Sequence, residues 1–216
     1  MQQKLIYQGA EAIILQKGNE VIKQRIKKSY RLPEIDEKLR KLRTRSEAKL
    51  LEKASKVIPV PKVIKVDEKT KEIVMEFIDG KKLSDNLDNF SLKKQKQICL
   101  EIGKETAKLH DIGIIHGDLT TSNMILVNLN GDKKSTNRDR SKFKIFFIDF
   151  GLGFNRNKIE DKAVDLHLLK QALEAKHFQN WQELFNSILQ GYSESKNFKE
   201  TFERLKKVEL RGRYKH

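Results

Sequence analysis

Apolar residues in the first third of the chain come in short runs and alternations of strand length. Residues 4–7 and 11–15 are brief apolar segments around Gln8-Gly9-Ala10-Glu11-Ala12, and over 20–26 Val21, Lys23 and Arg25 alternate with Ile22, Gln24 and Ile26. A period of two sends successive side chains to opposite faces, so these segments predict three strands with a turn between the first two. From about 36 to 56, Leu39, Leu42, Ala48, Leu50 and Leu51 punctuate a highly charged stretch, which predicts a long helix with Asp36 as its N-cap. Pro59-Val60-Pro61 is a rigid connector, and 62–66 and 72–78 predict two more strands around a Glu/Lys turn.

Beyond residue 80 the pattern turns helical. Ser91 can cap a helix through about Asp111, with Ile98, Ile102, Ala107 and Leu109 on or near its buried face. His110 ends that helix and reads as a structural residue. The apolar runs 124–127 and 145–148 predict a strand pair, and the polar segment 130–142 between them predicts a mobile loop. Three helices follow, at about 160–175, 180–191 and 196–207, and Leu210 to His216 form a basic tail. Neither an internal repeat nor a coiled coil interrupts this order. Strands first and helices afterwards point to the α+β class.

A length of 216 residues suits one domain, or two small lobes sharing a cleft. No apolar run approaches membrane-spanning length and no long apolar segment follows the N-terminus, so a cytoplasmic protein with no membrane partner is expected. Cys99 is the only cysteine, which excludes an internal disulfide framework, fits a reducing cytosol and suits a core position. No Cys/His cluster has zinc spacing. The net charge of +15, from 45 Lys+Arg against 30 Asp+Glu, admits a polyanionic partner, though a lysine-rich helical protein can carry such an excess without one. Lys23, Arg25, Lys27, Lys28, Arg31, Lys38, Arg40, Lys41, Arg43 and Arg45 form the densest basic run. It reads either as a solvated helix face or as a charge-driven docking face.

The candidate chemistry lies in two stretches. Ile114-Ile115-His116-Gly117-Asp118-Leu119-Thr120-Thr121-Ser122-Asn123 offers an aspartate with an asparagine five residues later, and Asp149-Phe150-Gly151 follows the second apolar run. A phosphoryl-transfer enzyme uses this spacing to place a proton acceptor (Asp118) beside magnesium ligands (Asn123 and Asp149) and a nucleotide. Magnesium prefers hard oxygen ligands and keeps several waters, so one carboxylate and one amide oxygen are protein enough. His116 then packs under the loop. Lys23, on the third strand, and Glu47, in the long helix, occupy the positions of a phosphate-anchoring ion pair. Gly9 and Ala10 stand where a lid would cover the phosphates, although one glycine fits a plain hairpin turn equally well. The carbonyl of Glu76 and the amide of Ile78 stand where a hinge would read adenine.

Together these residues resemble the small atypical protein kinase/ATPase subunit of the KEOPS (EKC) complex, over nearly the whole chain. The matching pieces are Gly9-Ala10-Glu11-Ala12, Val21-Ile22-Lys23-Gln24-Arg25, Lys28-Ser29-Tyr30-Arg31, Arg43-Thr44 with Glu47-Ala48, the His116–Asn123 string, Ile148–Leu152, Glu160–Leu166 and Arg211-Gly212-Arg213. The resemblance implies a minimal bilobal protein-kinase-like fold. A small, mostly antiparallel β N-lobe with one long helix would span 1–78, and a mainly helical C-lobe would span 79–216. It implies ATP and Mg²⁺ in the cleft, Ser/Thr kinase and ATPase activity, and a role in making threonylcarbamoyladenosine in tRNAs that read codons beginning with A. The implied partners are a glycoprotease-like threonylcarbamoyl-transferring subunit, a further small KEOPS subunit, and tRNA engaged by the basic tail through Arg211, Arg213 and Lys215.

The chain departs from ordinary protein kinases in two places. Thr120 stands where a lysine follows the catalytic aspartate by two residues, and the stretch from Asp149 to Asp165 is too short for a full activation segment. Asp165 would instead brace the catalytic loop, and water becomes the more accessible nucleophile. Two alternatives stay open: a small-molecule phosphotransferase of the aminoglycoside or choline kinase type, and a non-enzymatic tRNA-binding scaffold.

Overall fold

In the computed structural model, which describes residues 3–129 and 143–213, the alternating segments form an antiparallel sheet. Its strands are β1 (Lys4–Gln8), β2 (Ala12–Lys17) and β3 (Glu20–Arg25), followed after helix α1 (Pro33–Ala54) by β4 (Val63–Asp67) and β5 (Glu72–Glu76). The spatial order is β1-β2-β3-β5-β4. Register puts Lys23 opposite Ile14 and Ile73, and Arg25 opposite Ala12. One face of the sheet receives α1, where Ala48 packs with Ile73 and Met75.

Asp36 is not the N-cap of α1. The helix begins at Pro33, whose fixed φ suits a first turn, so Asp36 falls inside it. There its fully buried carboxylate accepts from Arg40 Nε at 2.6 Å and from the Lys28 amide at 3.3 Å. That pairing answers the cost of burying a charge, and it ties the loop after β3 to the helix.

The second half opens with β6 (Lys81–Lys82), the short helix α2 (Leu83–Asn86) and a 3₁₀ turn at Leu87–Asn89, none of which the hydropathy pattern announced. Helix α3 (Leu92–Asp111) follows, and the Ser91 hydroxyl caps it by accepting from the Lys94 amide at 3.4 Å. Then come β7 (Ile114–Ile115), a 3₁₀ turn at Thr121–Asn123, β8 (Met124–Asn128), β9 (Phe143–Phe147) and β10 (Phe154–Asn155). Helices α4 (Ile159–Lys176), α5 (Trp181–Tyr192) and α6 (Phe198–Arg213) complete the chain. β6, β8 and β9 make one small sheet, and β7 pairs with β10. The last helix outruns its expected end at 207 because Leu205 is buried in the core and Val208 packs against it. The basic tail is therefore helical through Arg213, while Lys215 and the polar segment 130–142 lie outside the described residues.

A single apolar cluster joins Leu50, Leu51 and Ala54 of α1 to Ile98, Cys99 and Leu109 of α3, Phe147 of β9 and Leu166 of α4. The long helix of the sheet-rich lobe is thus anchored in the helical lobe, which sets the cleft between them. Among the described residues no helix is long and apolar enough to cross a membrane.

Candidate active site

The catalytic loop is held from below. Asp165, on α4, accepts from the His116 amide at 2.6 Å and the Gly117 amide at 2.9 Å, and its Oδ2 also lies 3.3 Å from His110 Nε2. The other ring nitrogen of His110 meets the Tyr192 hydroxyl at 2.9 Å. The brace expected of Asp165 is present, and the buried His110 is part of it. Gly117 has φ +77°, and a Cβ there would fall 2.3 Å from the carbonyl oxygen of Leu152. Only glycine lets the loop turn this close to the segment that follows Asp149.

His116 is fully buried under the loop, its ring against Phe150 at 4.6 Å. Its Nδ1 accepts from the Asp118 amide at 3.3 Å, which leaves Nε2–H to donate to the Ile148 carbonyl at 3.1 Å. This is a neutral imidazole, assigned from its partners. Burial pushes it below its ordinary 6.5, against the opposing pull of Asp165. The unfolded chain therefore takes up a proton near pH 6.5 and the folded chain does so only lower, so stability present above 6.5 is lost as pH falls. Denaturant midpoints measured from pH 7 to 5 should decline, with a slope from this group of up to about 1.4 kcal/mol per pH unit. His116→Gln should flatten that decline; an unchanged slope would assign it elsewhere.

Asp118 and Asn123 are locked together. The Asn123 side-chain amide donates to the Asp118 carbonyl and to its carboxylate, each at 2.9 Å, and its backbone carbonyl accepts from the Ile148 amide at 2.9 Å. Across the cleft Lys23 Nζ lies 2.6 Å from Glu47 Oε1 and 2.6 Å from Asp149 Oδ1. Burial works against the Lys23 ammonium, yet Glu47 and Asp149 hold it above its ordinary range. Desolvation likewise opposes the Asp149 carboxylate, and Lys23 and the Gly151 amide hold it below its own. Asp149 sits at φ +63°, a left-handed conformation that aspartate tolerates better than most residues. Such strain clusters at functional sites.

The residues expected to form a lid and a hinge lie at the two ends of the sheet. The Gly9 amide donates to the Ala12 carbonyl at 3.0 Å, Ala10 offers its carbonyl to Lys28 Nζ, and Glu11 pairs with Arg43 at 2.7 Å, which fastens the turn to α1. At the other end of the sheet the Glu76 amide donates to Lys62 and the Phe77 amide to Asn19, each at 2.9 Å. The Ile78 amide has no backbone acceptor among the described residues. Arg211 lies apart from all of these and pairs with Glu160 of α4 at 2.8 Å. Arg213 ends α6.

Three features escaped the sequence reading. Arg25 does not belong to an exposed basic face: it is buried on Glu47, beside the Lys23 expected there. Arg40, Arg43 and Arg45 are paired with Asp36, Glu11 and Glu68, so local acids divide the run. Finally, His177 bridges Asp88 at 2.9 Å and Thr121 Oγ1 at 3.1 Å, clamping the catalytic loop to two elements remote in sequence. Only the two-residue offset from Lys23 could have flagged Arg25, since it puts both side chains on one face of a strand.

Comparison with known proteins places this geometry. The RIO domain family matches residues 16–131. The KEOPS complex subunit Bud32 of Pyrococcus abyssi is 43% identical over 226 residues, covering 98% of this chain and 96% of that protein. The chain belongs to the Bud32 family. Another Bud32 relative, a probable serine/threonine-protein kinase of Archaeoglobus fulgidus, is 40% identical over 97% of this chain and 95% of its own length. A probable bifunctional tRNA threonylcarbamoyladenosine biosynthesis protein of Methanobrevibacter smithii is 41% identical, and this chain spans 37% of it. Among solved structures, the chain resembles the Rio2 kinase–ADP/Mg²⁺–phosphoaspartate complex of Chaetomium thermophilum, with TM-score 0.57 at 16% identity over 98% of this chain and 70% of that one. It also resembles the streptomycin–ATP–APH(2")-IIa complex, with TM-score 0.62 at 13% identity over 99% of this chain and 83% of that one. At those identities the likeness shows the kinase-like fold alone.

The site suits magnesium on its own donor chemistry. The Asp149 side chain is half exposed, and with the Asn123 amide nitrogen engaged by Asp118 its oxygen is the end left for a cation. Among the described residues no cluster of three or more His, Cys, Asp or Glu could hold a metal. One carboxylate completed by substrate phosphate and water is the usual way Mg²⁺ is held.

Proposed function

We propose that the chain is an ATP- and magnesium-dependent enzyme of the serine/threonine-kinase type, acting chiefly as an ATPase within a KEOPS complex. There it supports threonylcarbamoyladenosine formation on tRNAs that read codons beginning with A. Its partners are the glycoprotease-like threonylcarbamoyl-transferring subunit, a further small subunit, and tRNA reached through Arg211, Arg213 and Lys215. The observation that carries the reading is the convergence of Lys23, Glu47 and Asp149, from three distant parts of the chain, opposite the Asp118–Asn123 pair.

In this reading adenine lies along Glu76 and Ile78, Gly9 and Ala10 cover the phosphates, and Lys23, steadied by Glu47, anchors them. Asn123 and Asp149 are the residues that would hold magnesium, which would offset the charge of the phosphates. Asp118, oriented by Asn123, accepts the proton of the attacking hydroxyl. Water is the favoured nucleophile because only the two-residue β10 stands as regular structure between Asp149 and α4, leaving no peptide platform. A small-molecule phosphotransferase shares the fold, but the near full-length identity to Bud32 relatives favours the KEOPS role.

Magnesium-dependent turnover of γ-labelled ATP, for the chain alone and with the glycoprotease-like partner and tRNA, tests the proposal. Free phosphate should rise in the full assembly. Label on protein or on a small acceptor would make it a kinase proper or a phosphotransferase, and no turnover at all would leave a scaffold.

A further inference from the structure

We propose that Arg25 is a second nucleotide-facing cation, reading the terminal phosphate beyond the reach of Lys23. The inference rests on the nucleotide reading of the same site. Arg25 is 5% exposed, and its Nη2 donates to Glu47 Oε2 at 2.6 Å while Lys23 holds the other oxygen of that carboxylate. One glutamate thus serves two buried cations. Arg25 Nε is also buried and has no acceptor. A buried donor without a partner costs stability unless something else fills the role.

Position along the strand says what that is. The hinge end of β3 is Glu20, opposite Glu76, and the lid end is Arg25, opposite Ala12, with the Gly9 amide bonded to Ala12. A nucleotide laid from hinge to lid meets Lys23 first. Arg25 stands two residues further toward the lid, about 6.7 Å along a strand. Its side chain shares the Lys23 face and converges with it over Gly151. A Cβ on Gly151 would lie 3.4 Å from Lys23 Nζ and 3.5 Å from Arg25 Nη2, so both cations border the space left by that glycine.

The catalytic loop makes the need concrete. Thr120 occupies the place where an ordinary kinase carries a lysine, so that loop brings no cation to the phosphate. A guanidinium supplied in cis is chemically suited to the task, because its fork of donors fits phosphate oxygens and stays charged at any working pH. Other cations near the lid are engaged: Lys28 bonds the Ala10 carbonyl, and Arg31 and Arg43 pair with Glu11.

The competing role is passive: Arg25 only holds Glu47, which holds Lys23. Binding separates the two roles. Titrations with ADP and with a non-hydrolysable ATP analogue, both with Mg²⁺, would compare the wild type with Arg25→Gln, Arg25→Lys and Glu47→Gln. Loss of a charge-assisted contact to the terminal phosphate should weaken the ATP analogue roughly tenfold or more in Arg25→Gln, with ADP affinity nearly unchanged. Glu47→Gln, which loosens Lys23 as well as Arg25, should weaken ADP too, and the ATP analogue more. Should Arg25→Gln fail to fold, Arg25→Lys, which keeps the charge beside Glu47, should show the same bias against the ATP analogue in smaller measure. Equal losses for both nucleotides, or none, would overturn the proposal. A wild-type protein that binds neither nucleotide would instead overturn the reading on which it rests.

Discussion

Asp149→Asn is expected to lower magnesium-dependent ATP turnover by roughly a thousandfold, the scale of removing one preorganised group that meets developing charge. The asparagine keeps what the backbone needs at φ +63°, because Asn also tolerates the left-handed region, and it can still accept from the Gly151 amide, now bonded at 3.1 Å. It removes only the charge. Lys23 is left with Glu47, which Arg25 already shares, so the buried cluster changes from two cations and two anions to two cations and one. Because the Asp149 side chain is half exposed, water screens much of that imbalance and the stability loss should be small. Asp149→Ala should lose turnover equally and about 1 kcal/mol more stability, since a left-handed alanine is strained. Steady-state phosphate release and thermal unfolding of both variants decide the matter: if Asn retains turnover, Asp149 is no metal ligand.

Adding one methyl group at Gly191 should destabilise the protein by about 3 kcal/mol, the upper end of overpacking costs. Helices α3 and α5 cross backbone against backbone. A Cβ on Gly191 would sit 2.0 Å from the Leu100 carbonyl oxygen, and one on Gly103 would sit 2.0 Å from the Ile188 carbonyl oxygen. Neither obstacle is a side chain that can rotate away, so the helices must part. The alanine gain in helix propensity, about 1 kcal/mol, does not offset this. Thermal midpoints should fall by roughly 6–12 °C for Gly191→Ala and for Gly103→Ala. The double variant should cost clearly less than the sum, because helices already parted accommodate the second methyl group. Additive losses would mean that the two sites relax independently. Turnover should suffer too, since Tyr192 follows Gly191 and contacts the His110 that backs Asp165.

The order of elements and the spine of the site could be read from the chain because both are local properties. Period two in the strands and helical spacing in the helices follow from backbone geometry, and the Ser91 cap and the apolar runs around the catalytic loop need only their neighbours. The His116–Asn123 string and Asp149-Phe150-Gly151 are legible for a similar reason: each is one short loop whose spacing positions its own groups. Lys23 and Glu47 were legible only as a pair of places within that pattern. The two-residue elements β6, β7 and β10 were invisible, because runs that short owe their pairing to the strands beside them and not to their own pattern.

What the tertiary structure alone decided concerns partners distant in sequence. Pro33, and not Asp36, opens the long helix, because burial gave Asp36 a structural task with Arg40 and the Lys28 amide. Arg25 looked like one lysine-or-arginine among ten and proved to be buried on Glu47. The Asp88–His177–Thr121 clamp joins three segments with no shared motif, and the Gly103–Gly191 contact depends on two helices meeting at one height. A periodicity records which way a side chain points along its own element. Which charge or backbone stands opposite is settled only when separate elements pack, and at close-packed density that choice leaves little tolerance.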